Sequence, residues 1–112
     1  MTTTERRTCP RIRVRWPVTV VSDSAMVQAE TRNITVNGIF ISSNELLRLD
    51  ETVPLCINPP NRQPLEVTGK VIWSDHSGVD NEEMSYGTGI CFVEVSDGDR
   101  HFLEDLISDR LG

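Results

Sequence analysis

At 112 residues the chain can hold one domain with its own core and no second domain beside it. Nothing in it approaches the roughly 20 consecutive apolar residues of a membrane-crossing helix, and its start is polar and charged with no apolar segment behind it, which excludes a membrane span and a recognisable export signal and points to the cytoplasm. A net charge of -6 and only six aromatic residues (Phe 3, Trp 2, Tyr 1) disfavour a nucleic-acid partner, which calls for a broad basic face with stacking platforms.

Arg6, Arg7, Arg11, Arg13 and Arg15 nevertheless all precede residue 16, with only Glu5 opposing them, while the acidic groups gather later at Asp80, Glu82, Glu83 and from Asp97 onward. Residues 1–11 therefore read as a flexible cationic arm on an acidic body, suited to a compact anion.

From Ile12 the chain alternates. Ile12, Val14, Trp16, Val18 and Val20 point one way and Arg13, Arg15, Pro17 and Thr19 the other, the pattern of a half-buried strand. Val27, Ala29 and Thr31 form a second strand running into Asn33, and a turn at Val36-Asn37-Gly38, with Gly38 free to take positive φ, leads into a third through Ile39, Phe40 and Ile41. Residues 44–49 make at most one helical turn. A fourth strand covers 53–57, and Asn58-Pro59-Pro60-Asn61 breaks the chain. Leu65, Val67, Gly69, Val71 and Trp73 alternate as a long fifth strand in which Gly69 marks a bulge or bend. A polar, acidic loop between Ser74 and Ser85 precedes a sixth strand over 87–95. Phe102, Leu103, Leu106, Ile107 and Leu111 then recur at helical spacing behind the cap candidates Ser96 and Asp97, with Asp99 near the positive helix end. Six short strands with regular turn signals favour a closed antiparallel barrel or a sandwich, and the helix can pack on that sheet or on a twin, forming a homodimer.

Cys9, Cys56 and Cys91 are odd in number, far apart and without a C-x-x-C pair, which excludes a disulfide framework and a zinc site; Cys56 and Cys91, inside apolar runs, read as core residues. His76 and His101 have no nucleophile at a recognisable spacing, and no paired carboxylates or metal-ligand array are visible. Asp97-Gly98-Asp99 lacks the downstream ligands of a calcium loop and reads as helix capping. The chain is expected to bind and not to catalyse.

Two constellations remain: Arg7-Thr8-Cys9-Pro10-Arg11, an R-x-x-x-R, and Asn33-Ile34-Thr35-Val36-Asn37-Gly38 at a strand-to-turn junction. A guanidinium fork matches phosphate oxygens in pairs and also matches O6 and N7 of guanine, so two forks on an arm stiffened by Pro10 can clamp a guanine nucleotide. Asn33 offers an amide to a base edge, Thr35 a hydroxyl on the same side of the strand, and Gly38 the room for close approach.

R-x-x-x-R followed about twenty residues later by [D/N]-x-[S/T]-x-x-G resembles the pattern of PilZ domains. The likeness extends to Val71-Ile72-Trp73 with Gly87-Thr88-Gly89-Ile90-Cys91-Phe92 as the family's late hairpin, and to 99–111 as its closing helix. The resemblance implies an all-β fold, a six-stranded antiparallel β-barrel with a C-terminal α-helix, over residues 12–112. It also implies a ligand, cyclic di-GMP, with no other cofactor, metal or catalytic residue. Arg7 and Arg11 would wrap over that ligand, Asn33, Thr35 and Gly38 would form the barrel-side surface, and Arg6 would add a third guanidinium and allow a ligand pair. Thr35 stands where Ser is commoner in the family; its methyl and restricted χ1 bear on ligand geometry. Ordering of the arm would signal to a downstream protein, and the alternative is a PilZ-like adaptor that acts through protein contacts without the nucleotide.

Overall fold

The computed structural model describes residues 11–22, 25–75 and 86–111. Six antiparallel strands, β1 (Pro17–Ser22), β2 (Ala25–Ile34), β3 (Gly38–Ser43), β4 (Thr52–Ile57), β5 (Leu65–Asp75) and β6 (Tyr86–Glu94), precede one helix, α1 (Asp97–Leu111). The strands close in the order β1-β2-β3-β6-β5-β4, with β4 returning to β1 through Val18–Ile57, Thr19–Cys56 and Val20–Leu55. Closure leaves no free sheet edge, which decides for the barrel over the sandwich. Val18, Val20, Ile34, Ile41, Ile57, Leu65 and Val71 line the interior with no exposed surface. Most are β-branched, the shape that packs best on a pleated, buried face.

The helix closes the core. Ser96 Oγ accepts from the Asp99 amide at 3.1 Å, so Ser96 is the cap. Leu103 and Ile107 enter the core while Arg100, His101, Glu104 and Asp105 face water. Phe102 meets Trp16 with ring centroids 6.4 Å apart, and the Arg62 guanidinium lies over the Phe102 ring at 4.1 Å while pairing with Asp99 at 3.6 Å. The helix thus packs on its own barrel.

The first strand starts later than its alternation suggests. Residues 12–16 do alternate in burial, with Ile12, Val14 and Trp16 inside and Arg11, Arg13 and Arg15 outside, but they form a strap along β2 and not a full ladder. The strap has two anchors. Ile12 and Ile34 exchange backbone bonds of 3.0 and 2.9 Å. At the other end the Thr31 amide donates to the Trp16 carbonyl at 2.9 Å, while the buried Thr31 hydroxyl accepts from the Trp16 amide at 2.8 Å and donates to the Val14 carbonyl. A side chain here takes the place of a backbone acceptor, which is why the ladder ends at Pro17.

Two bulges break the period-2 pattern. In β2 the pairing with β3 shifts between Thr31 and Asn33, and in β5 the pairing with β6 shifts between Val71 and Trp73. Continued alternation would put Asn33 beside Thr31 and Trp73 beside Val71 in the core; the extra residue in each strand turns both outward, and Trp73 is 46% exposed. A further shift falls between Thr68 and Gly69, where the sequence marks a bend.

Two expectations need correction. Cys56 and Cys91 are half-buried free thiols, not core residues, because their positions alternate onto the outer face. Residues 44–49 form no helical turn, within the limit of one turn that the sequence sets, and only Leu47 is buried there. Gly38 does not have positive φ, since no described glycine does. Its lack of a side chain serves packing: a Cβ would collide with the Ile90 carbonyl oxygen across the β3–β6 ladder and lie 3.2 Å from Cys91 Cα.

Thr31→Val keeps the shape of the side chain but leaves the buried Trp16 amide without an acceptor, which costs about 1–3 kcal/mol. Denaturant unfolding followed by tryptophan emission measures it, and an unchanged midpoint would refute the clasp. Gly38→Ala and Gly38→Asn should both destabilise the fold by about 1–3 kcal/mol, read as a lower thermal midpoint, because the obstacle is backbone. A left-handed turn would tolerate Asn, so a near-native Gly38→Asn would show that conformation and not space sets the residue.

Candidate functional site

The Ile12–Ile34 bridge is the register mark of the site. Antiparallel pairing there sets Arg11 across from Thr35 and Arg13 across from Asn33. Ile12 and Ile34 point inward, so their neighbours point outward; Arg11 and Arg13 are exposed, and Asn33 and Thr35 half-buried. The polar turn and the root of the arginine arm therefore share one patch of the outer barrel wall. Arg6 and Arg7, like Cys9 and His76, lie outside the described residues.

Thr35 organises the turn. Its amide donates to the Gly38 carbonyl at 2.8 Å, and its hydroxyl oxygen accepts from the amides of Asn37 and Gly38 at 2.9 and 3.0 Å. This is a turn closed by a threonine hydroxyl on its own backbone. The Phe92 amide donates to the Asn37 carbonyl at 2.8 Å and ties the turn to β6. Val36 tucks against the core. The turn is held from three directions before any ligand arrives, and Gly38 contributes to it by letting β3 lie close to β6.

Across the sheet the register extends the patch into a row. Asn33 stands opposite Phe40, Phe40 opposite Gly89, and Gly89 opposite Trp73. The rings of Phe40 and Trp73 meet over Gly87, where a Cβ would lie 3.0 Å from Phe40 Cζ and 3.6 Å from Trp73 Cζ3, with centroids 5.3 Å apart at an interplanar angle of 50°. A Cβ on Gly89 would press on Trp73 Cβ at 3.3 Å. Arg32, the bulged residue, lays its guanidinium 5.9 Å from the Phe40 centroid and donates to Ser42 Oγ at 3.2 Å. The row thus runs from a cation at the strap, through an amide, to an aromatic surface.

The electrostatics favour an anion at the strap end. Arg15 is paired with Glu30 at 3.1 Å and Lys70 lies 4.0 Å from Asp50. Among the described residues Arg11 and Arg13 have no hydrogen bond or ion pair, so their charge faces outward beside Asn33 and Thr35. Also among the described residues, no three His, Cys, Asp or Glu side chains come close enough to hold a metal. What the patch offers is guanidinium forks, an amide and a ring face, the parts that grip a nucleotide.

Arg11, Asn33, Thr35 and Gly38, picked out by spacing alone, meet in one patch. Arg13, Arg32, Phe40 and Trp73 were not picked out, because Arg32 sits in a bulge, Trp73 follows one, and Arg13 and Phe40 are placed by cross-strand register. The Gly87-x-Gly89 spacing was the available signal, a strip on one face of a strand left bare for rings to cover.

A family model described as "PilZ domain" matches residues 5–109. Among solved structures, the Bacillus subtilis inhibitor of motility (MotI/DgrA) superposes with a TM-score of 0.77 at 18% identity, over 95% of this chain and 51% of that one. The PilZ domain of YcgR from Escherichia coli, solved with c-di-GMP, gives 0.74 at 13% identity, over 93% of this chain and 90% of that one. YcgR from Escherichia coli in complex with c-di-GMP gives 0.74 at 14% identity, over 93% of this chain and 45% of that one. The chain spans about half the length of MotI and of the longer YcgR chain. No curated protein matches it. None of its described helices is long and apolar enough to cross a membrane. With the closed barrel, the closing helix and a match over nearly its whole length, the chain belongs to the PilZ domain family.

Proposed function

We propose that the protein is a cyclic di-GMP receptor that takes its ligand on the outer barrel wall, between the arginine arm and the row from Asn33 to Trp73, and signals by ordering that arm. The observation that carries the reading is the Ile12–Ile34 bridge, which sets the root of the arm against the polar turn. The ligand fits the row chemically. Guanine has a flat face for Trp73 and Phe40 and a Hoogsteen edge for an arginine fork, and its phosphates suit the unpaired cations. Asn33 stands between the rings and the cations in register. Arg7 and Arg11 would close over the ligand, with Arg6 stacking on a base. Residues 1–11 would change from a free arm to a covered one, and the new surface would be what a downstream protein in the cytoplasm reads, a common switch design. The protein would bind and not catalyse. That the YcgR structures contain c-di-GMP supports this choice of ligand.

One observation favours the adaptor reading. The Thr35 hydroxyl is already engaged by the amides of Asn37 and Gly38, so it has little left to offer a ligand. In the receptor reading Thr35 shapes the turn, and the contacts fall to the arginines, Asn33 and the rings.

Calorimetric titration of the full chain with cyclic di-GMP should show micromolar or tighter binding, and the absence of both heat and thermal shift at excess ligand would defeat the receptor reading in favour of the adaptor. Arg7→Ala, Arg11→Ala and Asn33→Ala should each weaken binding by about 1.5 to 3 kcal/mol, roughly ten- to 150-fold, as a charge-assisted or buried polar contact is lost. Trp73→Ala should cost about 1–3 kcal/mol through lost stacking while leaving the barrel folded, because the ring is exposed.

A further inference from the structure

We propose that Arg13 is a ligand-binding residue, a guanidinium set beside Asn33 in advance of the ligand to take a phosphate of the cyclic dinucleotide. The inference rests on the receptor reading and adds to it a residue outside both sequence constellations.

Position is the first argument. Arg13 follows Ile12, whose bridge to Ile34 sets Arg13 across from Asn33 on the outer face. Asn33 is in turn opposite Phe40, so Arg13 and the ring flank the asparagine from two sides. Each is one strand spacing from it, which puts the two backbones about 10 Å apart. A base resting on the rings would leave its phosphodiester above Asn33, within reach of a long arginine side chain.

Rigidity is the second. Arg13 lies between the two anchors of the strap, the Ile12–Ile34 bridge and the Thr31 clasp on Val14 and Trp16. Its flanking residues Ile12 and Val14 are each 7% exposed. The backbone at Arg13 is therefore ordered by folding, and binding has only the side chain left to order.

Availability is the third. Arg15, two residues on and facing the same way, is tied to Glu30 at 3.1 Å. Arg32 lies over Phe40 and donates to Ser42. Arg13 has no hydrogen bond or ion pair among the described residues, so no carboxylate must be displaced for its fork to meet two phosphate oxygens.

The test titrates cyclic di-GMP into the full chain and into Arg13→Ala, Arg13→Lys and Arg15→Ala, with a thermal unfolding curve for each. Arg13→Ala should weaken binding tenfold or more at an unchanged unfolding midpoint. Arg13→Lys should fall between Arg13→Ala and the native chain, since it keeps the charge and loses the fork. Arg15→Ala should stay within twofold of native. Native binding with an unaffected Arg13→Ala would sink the role of Arg13 and leave the receptor reading standing, and an equal loss in Arg15→Ala would reduce the effect to general charge. A native chain that takes no cyclic di-GMP would overturn both.

Discussion

A single extra residue in β2 is the constraint on which the rest depends. Between Thr31 and Asn33 the ladder to β3 slips, and Arg32 occupies the slip. Upstream of it, Thr31 faces inward and clasps the strap; downstream, Asn33 faces outward into the proposed site. In an unbroken strand the two side chains would share a face, because the pleat repeats every two residues. The bulge lets one short segment serve the core and the binding surface in succession.

The β5 bulge completes the arrangement. It turns Trp73 outward at the register where Gly89 leaves room for it, and Phe40 meets it from β3. Two irregularities on different strands thus deliver an amide and an indole to one row of the wall. The barrel supplies stiffness: closure leaves no edge to fray, and the β-branched interior resists sliding of one strand against the next. A surface of this kind asks little reorganisation of its own residues, so the ordering cost of binding falls on the arm and on exposed side chains.

Strap and helix share a contact. Trp16, the last residue of the strap, packs beside Phe102, and Arg62 lies over that ring while pairing with Asp99. The same short stretch therefore touches the polar turn at Ile12 and the closing helix at Trp16. Its mixed character follows from the alternation of arginines outside and apolar residues inside, with cation and core set one residue apart.

Local chemistry alone settled a good deal. Alternation located the six strands to within a few residues, the late change of period located α1 behind the two cap candidates Ser96 and Asp97, and the pairing of R-x-x-x-R with an Asn-x-Thr-x-x-Gly turn pointed to the family and to Arg11, Asn33, Thr35 and Gly38 as neighbours. Those features depend on residues close in the chain, where period and spacing carry the information. Register between strands does not, since a ladder slip depends on which side chains fit opposite one another across the closed sheet. For that reason only the tertiary structure turned Asn33 and Trp73 outward, gave Gly38 a packing role in place of a positive φ, and brought Arg13, Phe40 and Trp73 into line with the turn.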